Sequence, residues 1–369
     1  MTQQELTLHN LGQSLDDLCN LDPRGYGVCR ILYDAARKAM GEPLCMHAAK
    51  ELCKLIRADD YVYIITGFVL RPFKKAETDG IIGSVLLARS LIKAFGAKPV
   101  LVCQEENVQA AKAIAAVCGV HSYGSAAEIR SLPIAMAVVP FTKNAARADV
   151  QAQMLLAEAK PSAIISIEAP GANSNGEYHN AIGLNMTELE AKLDVLYAAA
   201  QRMGVPSFAI GDLGNEIGMG KIAPQLEKYI PYAGKGRCRC QTTADITGVQ
   251  SDCTGGIAAA TSCDHIITAT VSDWGSYGLI AAIAYLKEDL EIMHGAELEK
   301  AACEAAAQNG MIDMYGWMLP AIDGFGLAIN TSIVTLMREC VREAHKLRET
   351  CKVWFEKTIE LGFYDDKVK

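Results

Sequence analysis

From residue 61 to residue 271 the chain alternates short β-branched runs with alanine-rich stretches of helical period, and this alternation narrows its fold more than any other feature. Candidate strands are 61–66, 98–103, 134–139, 163–168, 205–211 and 265–271, with helical patterns between them at about 80–95, 106–118, 145–159 and 187–203. Strands separated by helices are joined by crossovers, which gives a mainly parallel sheet covered on both faces. Residues 11–57 also read as helical, with Gly41 and Pro43 as breakers, and long helices are expected at about 276–290, 297–309 and 330–359. The predicted fold is a three-layer α/β/α architecture with helical extensions at both ends. Its expected parts are an N-terminal helical extension over 1–57, the α/β domain over 58–345 and a C-terminal helical tail over 346–369.

Bulk properties exclude several classes of function. The net charge is −8 and no basic cluster is longer than Arg237–Arg239, which argues against nucleic acid as a partner. No window of about 18 residues is strongly apolar and free of charge, so no membrane span is expected. The first six residues lack the basic start and apolar stretch of a secretory signal. With 13 cysteines in such a chain, the expectation is a reducing compartment and a cytoplasmic protein. A homo-oligomer is left open. Cys238, Cys240, Cys253 and Cys263 cluster loosely, but their spacing is not that of a usual zinc site.

The richest segment follows the run 205–210. Gly211, Gly214, Gly218 and Gly220 are interleaved there with Asp212, Asn215, Glu216 and Lys221. Glycines permit positive φ and close approach of backbone N–H groups to a ligand. A helix starting near Leu213 would put Asp212, Asn215 and Glu216 at i, i+3 and i+4, a spacing suited to a hard cation, an ammonium group or acid–base work. Simple helix capping by Asp212 is the alternative. The segment is not a phosphate-binding P-loop, because Ile222 stands where Ser or Thr is required.

Ligands of open parallel sheets sit beyond the carboxyl ends of the strands. Polar clusters fall at those ends: Thr66 and Gly67, then Glu77–Gly80; Glu168 with the loop reaching His179; Asp212; and Ser272 with Asp273. Each has a plainer reading beside it. Glu77–Asp79 can cap the helix that follows, His179 can be solvated, and Trp274 reads more naturally as core. A carboxylate at Glu168, closing an apolar strand, is costly unless it is paired or needed.

Taken in order, the Thr66–Phe68 and Glu77–Gly80 segments, Ile167–Gly171, Gly176–Asn180, Gly211–Lys221 and Val271–Tyr277 resemble the carboxy-terminal domain of D-glutamate cyclase, over roughly residues 50–345. The resemblance implies a carbon–oxygen lyase that cyclises D-glutamate to 5-oxo-D-proline with loss of water. The chain departs from the family pattern at Ala169, Ala172 and Ile182, where arginines are usual, and at Asp273, where asparagine is usual. For such a reaction Asp212 and Glu216 are the candidate acid–base pair or, with Asn215, ligands of a magnesium or manganese ion. Lys221 and the N–H groups of Gly214 and Gly218 are candidates for holding an oxyanion. Asp79 and Glu168 would grip an ammonium and His179 would move a proton. Thr66, Gly67, Asn180, Ser272 and Asp273 complete the expected substrate site. Two further readings are a related enzyme acting on another small amide, lactam or amino acid, and a small-molecule-binding module without turnover.

Overall fold

A computed structural model describes residues 1–236 and 255–368. Three helices open the chain, α1 (Gln3–Cys19), α2 (Val28–Met40) and α3 (Leu44–Leu55). Strand β1 (Tyr61–Thr66) is followed by a small hairpin, β2 (Val69–Leu70) and β3 (Lys75–Ala76). The alternating part then runs α4 (Ile81–Phe95), β4 (Lys98–Cys103), α5 (Glu105–Val117), β5 (His121–Tyr123), α6 (Ala126–Ile129), β6 (Ala135–Pro140) and α7 (Ala145–Glu158). It continues with β7 (Ala163–Ile167), α8 (Leu193–Arg202), β8 (Ser207–Gly211), α9 (Ala223–Tyr229) and β9 (His265–Thr268). The end of the chain holds α10 (Ser272–Leu286), α11 (Ala296–Gln308), the hairpin β10 (Ala321–Ile322) and β11 (Phe325–Gly326), α12 (Leu327–Thr350) and α13 (Lys352–Glu360).

Seven strands form one sheet in the order β5-β6-β4-β1-β7-β8-β9, and every neighbouring pair is parallel. The chain leaves β1 toward β4 but leaves β7 toward β8, in opposite directions across the sheet. Right-handed crossovers therefore put α4 and α8 on opposite faces and open a crevice between β1 and β7. On one face α4 packs with α5 and α10; on the other α7 packs with α8. This is the three-layer α/β arrangement that the alternation predicts.

Buried strands read as unbroken apolar runs because both faces are covered, and β1, β4, β7 and β8 are buried along nearly their whole length. Helix α10 is apolar all round for the same reason. It is wedged among α1, α3, α4 and α12, and residues 272–285 are all buried. The edge at β9 is covered by α2 and α3, which removes an open ladder that could pair with another chain.

Several boundaries differ from those expected. The three-residue edge strand β5 and both hairpins are too short to show a period. The last strand stops at Thr268, and α10 begins at Ser272 rather than near 276, so Ser272 and Asp273 occupy a helix first turn and not a strand end. Residues 187–192 are not helical and precede α8, and the long C-terminal helix is broken at Cys351. Cys238, Cys240 and Cys253, with residues 248–254 of the segment 248–263, lie outside the described residues; Cys263 is buried and free. Among the described residues no helix is long and apolar enough to cross a membrane.

Candidate active site

The crevice holds a cavity of about 360 Å³ beyond the carboxyl ends of β1, β7 and β8. Asp79, Glu168 and Asp212 all line it. They come from three separate segments, yet one carboxylate oxygen from each lies within 4.8 Å of the others. All three side chains are buried.

Each acid is positioned by backbone. Asp79 precedes α4 but serves α10: its Oδ2 accepts the Ser272 N–H at 3.1 Å and its Oδ1 the Asp273 N–H at 2.9 Å. Asp273 returns the service, its Oδ1 accepting the N–H groups of Gly80 at 3.0 Å and Gly83 at 2.8 Å at the start of α4. Helix N-termini supply orphan donors and a favourable dipole for carboxylates, so this exchange ties the two helices together below the cavity. Only glycine fits at 80. Its φ is +84°, and a Cβ there would meet Glu168 Cβ and Thr66 Oγ1 at 2.6 Å each.

Glu168 follows β7 with φ at +43°, a conformation that non-glycine residues rarely adopt and that tends to mark functional sites. Its backbone is pinned on both sides, N–H to the Ile210 carbonyl and carbonyl to the Gly67 N–H, and its Oε2 accepts the Ser272 hydroxyl at 2.6 Å. Asp212 follows β8. Its Oδ1 and the Oδ1 of Asn215, which also lines the cavity, are buried acceptors with no hydrogen-bond partner among the described residues. Acceptors left in this state are costly unless a donor or cation arrives.

Burial is the first cause of the unusual acidities here, and repulsion among the acids adds to it. Asp79 is pushed up to about 7. Glu77, Glu168 and Asp212 are raised well above the usual carboxylate range. Asp323, across the cavity, is pushed up to about 6 by burial even though Arg24 pairs with it at 2.6 Å. Carboxylates packed this closely must be protonated or neutralised by a bound positive group. Among the described residues lining the cavity, Arg71 is the one cation.

The glycine-rich segment folds differently from expectation. No helix starts near Leu213; residues 212–219 form a loop, and the next helical turn begins at Gly220. Glu216 is buried, and its carboxylate accepts the N–H groups of Asp212 at 2.9 Å and of Leu213 and Gly214 at 2.7 Å each. It staples the loop that aims Asp212, which corrects its expected place in the acid–base pair and the metal set. The carboxylates that converge are Asp79, Glu168 and Asp212. Gly214 donates its N–H to that staple, so it offers none to an oxyanion. Gly218 lies against the sheet, where a Cβ would fall 2.2 Å from Ala209 Cβ. Lys221 does not line the cavity; its charge acts on Cys263 and His265 instead.

His179 is also away from the cavity lining. It is buried, its Nδ1 is 3.4 Å from Asn173 Nδ2, and its carbonyl accepts Asn215 Nδ2 at 3.0 Å. Burial holds its pKa below the ordinary histidine value. It positions Asn215 rather than facing the acids. Asn180 lines the cavity and Thr66 lies buried beneath Gly80, whereas Gly67 bonds to the Glu168 and Gln104 groups behind it. Ser272 reaches the site through Glu168, and Asp273 through α4.

A family model described as D-glutamate cyclase-like, C-terminal, matches residues 15–338. The chain belongs to that family. It is also similar to D-glutamate cyclase, mitochondrial, of Homo sapiens, at 31% identity over 124 residues, 33% of this chain and 17% of that protein. The present chain thus matches a small part of that relative's length. Within this D-glutamate cyclase-like unit, Ala169 is fully buried and Ile182 lines the cavity.

Three site residues escaped the sequence reading. Arg71 comes from the hairpin after β1, Asp323 from the turn between β10 and β11, and Arg24 from the loop between α1 and α2. Asp323 followed by Gly324 reads in sequence as an ordinary turn, which it is, with φ at +48°. Only the path of the chain across the top of the sheet brings it to the cavity.

Proposed function

We propose that this chain cyclises a glutamate-type amino acid to the five-membered lactam with loss of water, the reaction for which D-glutamate cyclase is named. The observation that carries this reading is the convergence of Asp79, Glu168 and Asp212 within 4.8 Å in a buried crevice, whose lining also includes Arg71. Such a pairing of poles suits an amino acid: the ammonium among the acids, the carboxylate on arginine. Bringing in the ammonium restores ionisation to acids that burial has neutralised.

In this reading the orphaned Asp212 Oδ1 takes a proton from the ammonium, and the free amine attacks the γ-carbonyl carbon. Glu168, kept protonated by its surroundings, donates one proton to the γ-carboxylate oxygen that leaves, the attacking nitrogen gives up its second proton to the same oxygen, and it departs as water. The N–C bond forms as the C–O bond breaks, and the two carboxyls exchange their protonation states. Asn215 faces the same space, where its carboxamide would orient the amine.

A second reading has its own support. Three buried carboxylates and the Asn215 oxygen form a set of hard oxygen ligands, which suits magnesium or manganese. Such an ion would polarise the γ-carbonyl. The test of the main reading is proton NMR of the protein with D-glutamate and separately with 5-oxo-D-proline, with and without each ion. Lactam formation that disappears in Asp212→Asn supports it. Folded protein that converts neither compound under any of these conditions overturns it.

A further inference from the structure

The shape of the cavity says more about the substrate than the acids do. Part of its lining is acidic. Most of the rest is apolar and includes Phe68, Phe73, Ile182, Leu184, Met186 and Met314. Its volume of about 360 Å³ is near the lower end of the range of roughly 300–1,000 Å³ that takes drug-sized ligands, and leaves room for a substituent beyond a five-carbon amino acid.

The apolar lining continues onto the surface. Phe73 at the hairpin tip packs on the loop after Ile312, where a Cβ on Gly316 would meet its ring at 2.2 Å. That loop is held in shape by Asp313 Oδ1, which accepts the N–H groups of Tyr315 and Trp317. It carries exposed Tyr315, Trp317, Met318 and Leu319, and Ile182 at the cavity itself is 49% exposed. A contiguous apolar surface leading into a cavity marks a place where an apolar group is received.

Charge points the same way. Free glutamate brings two carboxylates, and each needs a positive partner when it is taken out of water. Facing them would be Glu77, Asp79, Glu168, Asp212 and Asp323, against Arg71. Arg24 is engaged with Asp323. A γ-carboxylate masked as an amide needs no second cation, and an apolar substituent on that amide fills the space that glutamate leaves open.

We infer that the preferred substrate is a γ-glutamyl amide whose amine carries an apolar group, this group lying along Phe73, Ile182 and Met314 toward Trp317. The inference rests on the lactam-forming reading and replaces its leaving group. The bond from the α-nitrogen to the γ-carbonyl carbon forms, and the amide C–N bond breaks. Both protons that the α-ammonium gives up end on the leaving nitrogen, so an ammonium enters and an ammonium departs. No oxidant or co-reactant is required.

The experiment compares D-glutamate, D-glutamine and the γ-benzylamide of D-glutamate, with their L-enantiomers, by following 5-oxoproline and released amine with full-length protein. The benzylamide is expected to exceed both smaller substrates in kcat/KM by about tenfold or more, a typical return for filling an apolar pocket, with benzylamine and 5-oxoproline appearing in equal amounts. Ile182→Arg, at an exposed position that leaves the fold alone, is expected to narrow that ratio by giving the γ-carboxylate a partner. A wild-type preference for free glutamate, or equal rates, overturns the inference while leaving the cyclisation reading intact. Failure of every substrate to give lactam overturns both.

Discussion

Asp79 and Asp273 cap each other's helices: the carboxylate before α4 takes the first N–H groups of α10, and the carboxylate in the first turn of α10 takes those of α4. Two elements far apart in sequence are thereby locked at the floor of the cavity, and Asp79 is aimed upward as a result. Asp273→Ala is expected to cost about 1–3 kcal/mol, because the Gly83 N–H loses its acceptor in a buried place. Asp273→Asn, which keeps an oxygen at that position and removes a charge from a crowded acidic region, should cost less. Urea denaturation of both variants measures this, and equal stability of Ala and Asn would count against the capping role.

Asp212 and Glu216 stand four residues apart and are assigned opposite duties. Asp212→Asn should reduce lactam formation by about 100-fold or more and leave the melting temperature unchanged or raised, since a carboxyl that burial and repulsion from Glu168 disfavour in its charged form gives way to a neutral amide. Glu216→Gln should lose about 1–3 kcal/mol of stability, because three backbone donors then share one carboxamide oxygen. Activity and thermal melts on the two purified variants decide. A destabilised Asp212→Asn with normal turnover would reverse the assignment.

Binding of a hard cation by Asp79, Glu168 and Asp212 is testable without any substrate. Manganese or magnesium at 100 times its Kd should stabilise the folded chain by about 2.7 kcal/mol, visible as a rise in melting temperature. The rise should be absent in Asp212→Asn. A wild-type melt that ignores both ions would leave the three acids to the substrate ammonium alone.

Glu190 gives a pH prediction away from these acids. It is fully buried, accepts the Val69 N–H at 3.1 Å and the Gln104 amide, and so ties down the hairpin that carries Arg71 and Phe73. Burial pushes its carboxyl up to about 8. The folded value is above the unfolded one, so its contribution to stability is complete below about pH 4.5 and is lost as pH rises through about 8. Wild type should therefore lose more stability than Glu190→Gln between pH 6 and pH 9. Parallel melting curves for the two proteins over that range would refute this.

The sheet was readable from sequence because β1, β4, β7 and β8 are buried on both faces and keep unbroken apolar runs, and because α5 and α7 repeat with the period of a surface-packed helix. The family could be read because Gly211–Lys221 is a dense local signal. Asp79, Glu168 and Asp212 could be named in advance, since each follows an apolar strand or precedes a helix. Their convergence could not. It depends on the strand order that puts β1 beside β7, a relation between residues about a hundred positions apart. The sequence likewise placed Glu216 and Lys221 with Asp212 by proximity along the chain, and folding separated them. A loop in place of the expected helix turned Glu216 inward onto three N–H groups, while Lys221 passed to the far side of β8. Local spacing thus determined which segments form strands, helices and tight turns. Which carboxylates share a cavity, and which cation and apolar wall face them, was decided by long-range packing, because side-chain convergence is a property of the assembled layers rather than of any one of them.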